Sequence, residues 1–174
     1  MKRQLLSFLL LFAFSANINA QTVISGSFDC LSTEKAVCIK WDFTNTVFEK
    51  KHNEQEWTEL KGTEEWANAK KEAMDLIIEN VNEMLKKEQV YVVKESERAN
   101  YVITIFPLTL DKKGNNKSEY VLTDIKGKNE EGRILIKGDG GHWGDLANLL
   151  GDGSEEAARK LGKYIRKCIH EGFD

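Results

Sequence analysis

Residues 101–137 hold three apolar segments separated by two short turn sequences, and that spacing constrains the fold more than any other feature of the chain. Residues 101–110 are apolar on both alternating faces, as in an interior strand covered on two sides. The run Asp111-Lys112-Lys113-Gly114-Asn115-Asn116-Lys117 is turn chemistry, and residues 120–125 return as the next strand. A second turn at 128–132 leads to Arg133-Ile134-Leu135-Ile136-Lys137, so the three segments make an antiparallel meander. Pro107 has no N–H to give to a ladder, and the first strand must therefore bulge, end or lie on an edge there.

Upstream, Val37, Ile39, Trp41 and Phe43 alternate with Cys38, Lys40 and Asp42, the period-two pattern of a strand whose aromatic side faces a core. A short strand near residues 22–28 precedes it, and Val90-Tyr91-Val92-Val93 begins another. Residues 44–62 are polar, with Val47, Phe48 and Trp57 as isolated apolar anchors, and read as a long surface connection. Two segments have helical spacing. In the first, Thr63 is the expected cap, Glu64 and Glu65 lie at the positive end of the dipole, and Trp66, Ala69, Ala73, Ile77, Val81 and Met84 form the buried stripe. In the second, Ser154 is the expected cap, Glu155 and Glu156 occupy the first turn, and Ala158, Leu161, Ile165 and Ile169 share one face before a stop at Gly172. Gly162 costs that helix about 1 kcal/mol relative to alanine, which points to a close approach to the sheet or to the first helix. The expected fold class is α+β, a mainly antiparallel sheet of four to five strands with two helices packed on one face.

Residues 1–20 set the expected compartment. Met1-Lys2-Arg3, an apolar core of about ten residues and a small polar exit ending at Ala20 match a secretory signal peptide and fall short of the roughly twenty residues that a spanning helix needs. Cys30 follows Phe28 and Asp29 rather than a lipidation pattern, so the expectation is an exported protein, periplasmic or extracellular, with residues 21–174 as a single domain. Removing Lys2 and Arg3 takes the formal charge from -3 to about -5, which argues against a nucleic-acid partner.

Three cysteines allow one internal disulfide, and Cys30 with Cys38 is the favoured pair because a polar connection between them can turn the chain back. Cys168 has the spacing of a buried thiol in the last helix, and His170, about 200° around that helix, is no activating neighbour for it. The stretch 138–145, Gly-Asp-Gly-Gly-His-Trp-Gly-Asp, is the one candidate ligand or interaction loop. It matches no phosphate loop: Trp143 stands where a third dinucleotide-fold glycine belongs, and no Lys-Ser or Lys-Thr pair follows a glycine. Gly127 and Gly132 have phosphate-loop spacing, but Arg133 follows and strands flank them. Asp139, His142, Asp145 and Asp152 could offer metal ligands, yet their spacing fits neither the usual calcium loops nor zinc pairs, and Asp145 and Asp152 suit helix capping or turns. His52, His142 and His170 lie in unrelated contexts, and no serine sits in a nucleophile elbow.

The passage Ile39-Lys40-Trp41-Asp42-Phe43-Thr44-Asn45, the glycine-rich residues 140–153 and the motif from Ala158 to Gly162 together resemble a family of uncharacterised secreted bacterial α/β proteins. The likeness spans most of the chain beyond residue 20, and the element order is similar to the TolB amino-terminal domain. The resemblance brings no established activity and no catalytic residues, and no cofactor is expected. The expected function is a non-enzymatic cell-envelope protein that engages another envelope protein by a sheet edge or the 138–145 loop. The alternative is a small-ligand or metal-binding periplasmic protein that uses the 138–145 loop, with Trp143 as an apolar platform and Asp139 or His142 as the polar contact.

Overall fold

The structure is a computed structural model that describes residues 21–171; the proposed leader at 1–20 and the predicted helix stop at Gly172 lie outside the described residues. The centre of the described residues is a seven-stranded mixed sheet. The strands are β1 (Gln21–Gly26), β2 (Ala36–Trp41), β3 (Val47–Phe48), β4 (Tyr91–Val93), β5 (Tyr101–Leu110), β6 (Asn116–Asp124) and β7 (Glu130–Gly138). They are arranged β1-β7-β6-β5-β2-β4, with β3 added to the far end of β5. A short 3-10 turn, Asp29–Thr33, links β1 to β2.

The fold is α+β as expected, with more strands than four to five. The meander β5-β6-β7 and the β1 edge are antiparallel, and these are the longer ladders. The β2-β4, β2-β5 and β3-β5 pairings are parallel. The parallel half arises because a helix, not a hairpin, carries the chain from β2 to β4, and such a crossover returns a strand in the same direction.

Pro107 shows how the two halves meet. Asp42 N–H donates to the Ile105 carbonyl at 2.9 Å, after which β2 departs, and β3 joins only at Thr109 and Leu110. Pro107 falls in the gap, where no neighbouring strand asks for its N–H, and its carbonyl accepts the buried Thr46 hydroxyl at 2.6 Å. The ladder to β6 shifts register between Pro107 and Thr109, so of the three outcomes open at Pro107 the strand takes the bulge.

Among the described residues three helices complete the fold: α1 (Glu54–Lys61), α2 (Thr63–Leu85) and α3 (Leu146–Glu171). Helix α1 corrects the reading of 44–62 as surface connection. Asn53 accepts from Glu56 N–H at 2.9 Å, while the Glu56 carboxylate accepts from Asn53 N–H at 3.1 Å. This capping box starts the helix, and burial of Trp57 anchors it. Helix α2 is capped by Gly62 and not by Thr63, which is its first residue.

Helix α3 begins at Leu146, eight positions before the expected Ser154, which is buried within it. Gly151 and Gly153 each cost about 1 kcal/mol in a helix, but burial of Leu146 and Leu150 returns about 1.5–3 kcal/mol apiece. The helix therefore runs through the glycines.

Helices α2 and α3 cover one face of the sheet. Ile77, Val81 and Leu85 of α2 and Ala158, Leu161 and Ile165 of α3 share a core with Val37, Ile39, Ile103, Ile105, Tyr120, Leu122, Ile134 and Ile136. A second cluster at the β3 end joins Phe43, Phe48, Trp57 and Trp66, whose rings stack or meet edge to face at 5.4–6.1 Å.

Gly162 faces α2. A methyl group there would lie 2.6 Å from Met84 Cβ and 3.2 Å from the Val81 carbonyl oxygen. Alanine gains about 1 kcal/mol of helix propensity, but pushing two packed helices apart costs about 1–3 kcal/mol. Gly162→Ala is thus expected to lower stability in urea denaturation. An unchanged or raised midpoint would show that the α2–α3 contact has slack.

Candidate functional site

The loop 138–145 leaves β7 and enters α3, and its glycines are used for close packing. A side-chain carbon on Gly138 would lie 2.0 Å from the Gly153 carbonyl oxygen, and one on Gly153 would lie 2.2 Å from that of Gly114. Gly114, at φ +81°, sits in the β5–β6 turn against Leu149 and Leu150, so three chain segments meet here backbone to backbone. Asp139 N–H donates to Glu156 at 2.5 Å and Gly140 N–H to Asn115 Oδ1 at 2.8 Å. Those amides serve the fold and are not turned to a phosphate. Asp145 accepts the Asn148 N–H at 2.9 Å, the capping role anticipated for it.

Asp139, His142, Trp143 and Asp145 are all exposed. None of the four lines the hollows described here, and among the described residues no three His, Cys, Asp or Glu side chains are grouped to hold a metal ion. What the loop presents is Trp143, 89% exposed on a framework pinned by backbone contacts.

The cysteines correct the favoured pairing. Cys30, Cys38 and Cys168 are free thiols. Cys30 packs beside the core under the helices, whereas Cys38 shares a cluster on the opposite sheet face with Ala36, Ala99 and Val102, so the sheet stands between them. Burial, aided by the nearby Glu131 carboxylate, pushes the Cys30 thiol up to about 11, and burial also raises that of Cys168. Neither is an activated nucleophile.

A groove the sequence did not single out lies between the end of β2 and α2. Its volume is about 610 Å³, and Trp41, Phe43 and Met74 floor it beside Lys70, Lys71 and Lys94. Its charges are matched. Lys70 lies 2.7 Å from Glu54, which also accepts the Trp66 indole N–H at 3.0 Å, and Lys71 and Lys94 share the Asp75 carboxylate at 3.2 and 2.5 Å. Those hydrogen bonds hold the Asp75 carboxyl below its ordinary range, as the Thr44 contacts do for Asp42. The aromatic-acid-aromatic strand end Trp41-Asp42-Phe43 was the only sequence signal for this groove; its other wall comes from residues far along the chain.

No family model matches the chain, and no curated protein matches it. Among solved structures it is similar to the PelC dodecamer from Paraburkholderia phytofirmans, at 10% identity and a TM-score of 0.44, over 80% of this chain and 96% of that one. A variant of that dodecamer from the same organism gives 10% identity and a TM-score of 0.40, over 82% and 94%. Neither is the TolB domain, and likeness at this level carries no argument about activity or assembly.

Two outcomes are expected at this site. Gly153→Ala should unfold the domain at markedly lower urea, since its new carbon has backbone on its far side, whereas Trp143→Ala should leave the unfolding free energy within about 0.5 kcal/mol, and the midpoint nearly unmoved, because the ring is exposed. Equal midpoints for the two variants would remove the packing role assigned to the glycines. At pH 8, iodoacetamide should label Cys30 about a hundredfold more slowly in the folded protein than in the urea-unfolded chain, because the thiolate fraction falls as the thiol rises from 9.0 to about 11. Equal rates would show an ordinary, accessible thiol.

Proposed function

We propose that this chain is an exported protein of the cell envelope, periplasmic or extracellular, with a binding and not a catalytic role, engaging another envelope protein along the open edge of β1 with Trp143 as an anchor. The difference between the two sheet edges carries this reading. At the β4 edge, Asn82 of α2 reaches over, accepting the Val92 N–H at 2.7 Å and donating to the Val92 carbonyl at 2.9 Å, so a side-chain amide occupies the position an incoming strand would take. At the other edge, β1 pairs with β7 on one side and with no strand among the described residues on the other.

β1 reads Gln-Thr-Val-Ile-Ser-Gly, without charge or proline, and Val23 and Ile24 are 42% and 49% exposed. A strand edge of that composition suits β-augmentation, in which main-chain bonds supply affinity and alternate side chains supply specificity. The loop bearing Trp143 starts where β7 ends at Gly138, and Gln21 of β1 pairs with Ile136 two residues earlier. Edge and tryptophan therefore belong to one end of the sheet, and exposed tryptophans are frequent interface anchors. The leader at 1–20 supports export, and no helix among the described residues is long and apolar enough to cross a membrane.

In-cell photocrosslinking tests the reading. A crosslinker at Val23 or Trp143 is expected to capture the same envelope protein, one at Lys163 is not, and Ile24→Lys should abolish capture from Trp143. Capture independent of position, or unaffected by Ile24→Lys, would overturn the edge. Amino-terminal sequencing of the fractionated protein is expected to begin at or near Gln21, and an intact leader in the cytosolic fraction would overturn export.

A further inference from the structure

The first residue of β1 is a glutamine, and the structure leaves its side chain uncommitted. Gln21 pairs with Ile136 of β7 and is half-buried beside it, on the sheet face that the helices cover. Its side-chain amide meets no hydrogen-bonding group among the described residues, whereas Ser25 of the same strand donates to Glu130 at 3.0 Å. The outer side of β1 carries no strand among the described residues, and residues 22–26 are all exposed.

Removal of residues 1–20 after Ala20 turns the Gln21 backbone nitrogen into a free α-amine. An ordinary α-amino group titrates at about 7.7–8.0, so a neutral, nucleophilic fraction exists at neutral pH. The side-chain Cδ of the same residue is an amide carbonyl carbon at the chain distance that closes a γ-lactam, and holding both groups on one residue makes the attack intramolecular. The new bond joins the α-nitrogen to Cδ. The bond from Cδ to Nε2 breaks, and Nε2 leaves as ammonia with a proton taken from the attacking amine. No oxidant, reductant or co-reactant is consumed.

The lactam keeps one N–H and the carbonyl of residue 21, so the main-chain groups at the start of the strand are retained. What changes is charge. β1 reads Gln-Thr-Val-Ile-Ser-Gly, and a free α-ammonium would be the one charge on it. Charge on an edge strand opposes pairing with another strand, so closing the ring makes the edge neutral from its first residue. It also removes the free amine by which an aminopeptidase trims an exposed terminus.

We infer, on the export reading above, that Gln21 is a modification site: once the leader is removed the residue cyclises, and the working chain begins with a pyroglutamyl residue that neutralises the docking edge of β1.

The test is mass spectrometry of the full-length chain, expressed with its leader in its own host and recovered from the cell envelope or the medium. The freshly isolated protein is expected to have the mass of residues 21–174 less one ammonia, with the loss located on residue 21 in the amino-terminal peptide. Pyroglutamyl aminopeptidase should then remove that residue and expose Thr22. Gln21→Ala should be processed at the same bond and show neither the loss nor sensitivity to that enzyme. An isolated chain that begins at Gln21 with its amine and amide intact would overturn the modification and leave export standing, as would a loss that arises only during digestion and is missing from the intact mass. An exported chain that begins at another residue would remove this inference alone, whereas a chain that keeps its leader in the cytosol would overturn the export reading with it.

Discussion

The approach of α3 to its neighbours at backbone distance is the constraint on which the rest of the structure depends. Gly162 lets it lie against Met84 and Val81 of α2, and Gly138, Gly153 and Gly114 let its first turns press on the end of β7 and the β5–β6 turn. Any side chain at these points would meet atoms that have packed structure behind them. With α3 so placed, Leu146 and Leu150 complete the aromatic cluster of Phe43, Phe48, Trp57 and Trp66, and Leu161 and Ile165 close the main core over the sheet. The helix layer then leaves two consequences at the surface: the loop that carries Trp143 is held firmly, and β1 remains beyond the cover of the helices.

The surface chemistry divides by how its charges are balanced. Around the groove beside α2, each lysine has a carboxylate, and Asp75 serves two of them. Across α1, three lysines surround a buried tryptophan and have no such partner among the described residues. Salt bridges at exposed positions contribute little to stability, so neither arrangement is needed to hold the fold.

Much of the fold was legible in the sequence because it rests on local periodicity. The alternation through residues 101–137 specified the meander, and the three- and four-residue spacing from Trp66 to Val81 specified α2. Asp145 was legible as a helix cap, and Cys168 as a buried thiol. Helix α1 was legible in principle, since Asn53-Glu54-Gln55-Glu56 is a capping box, but its short length and single buried residue left little periodic signal. The first turns of α3 were not legible, because Gly151 and Gly153 argue locally for a loop and only distant partners reverse that preference. The Cys30–Cys38 pairing failed for the same kind of reason: sequence proximity suggested a bridge, while the 3-10 turn sets Cys30 on the helix-covered side of the sheet and β2 directs Cys38 to the other.

The residues of the 138–145 loop illustrate the division. Sequence alone determined that this segment is rich in glycine, lacks the spacing of a phosphate loop, a usual calcium loop or a zinc pair, and carries one tryptophan, since those are properties of residue type and spacing. Tertiary structure decided what the glycines are for, because only a packed neighbour distinguishes a glycine that frees the chain from one that admits another backbone. It also decided which edge of the sheet is open, through the reach of Asn82 to Val92, and which lysines are paired, through contacts between segments up to tens of residues apart. Periodicity is read along the chain, whereas edges, close approaches and charge balance exist only between segments.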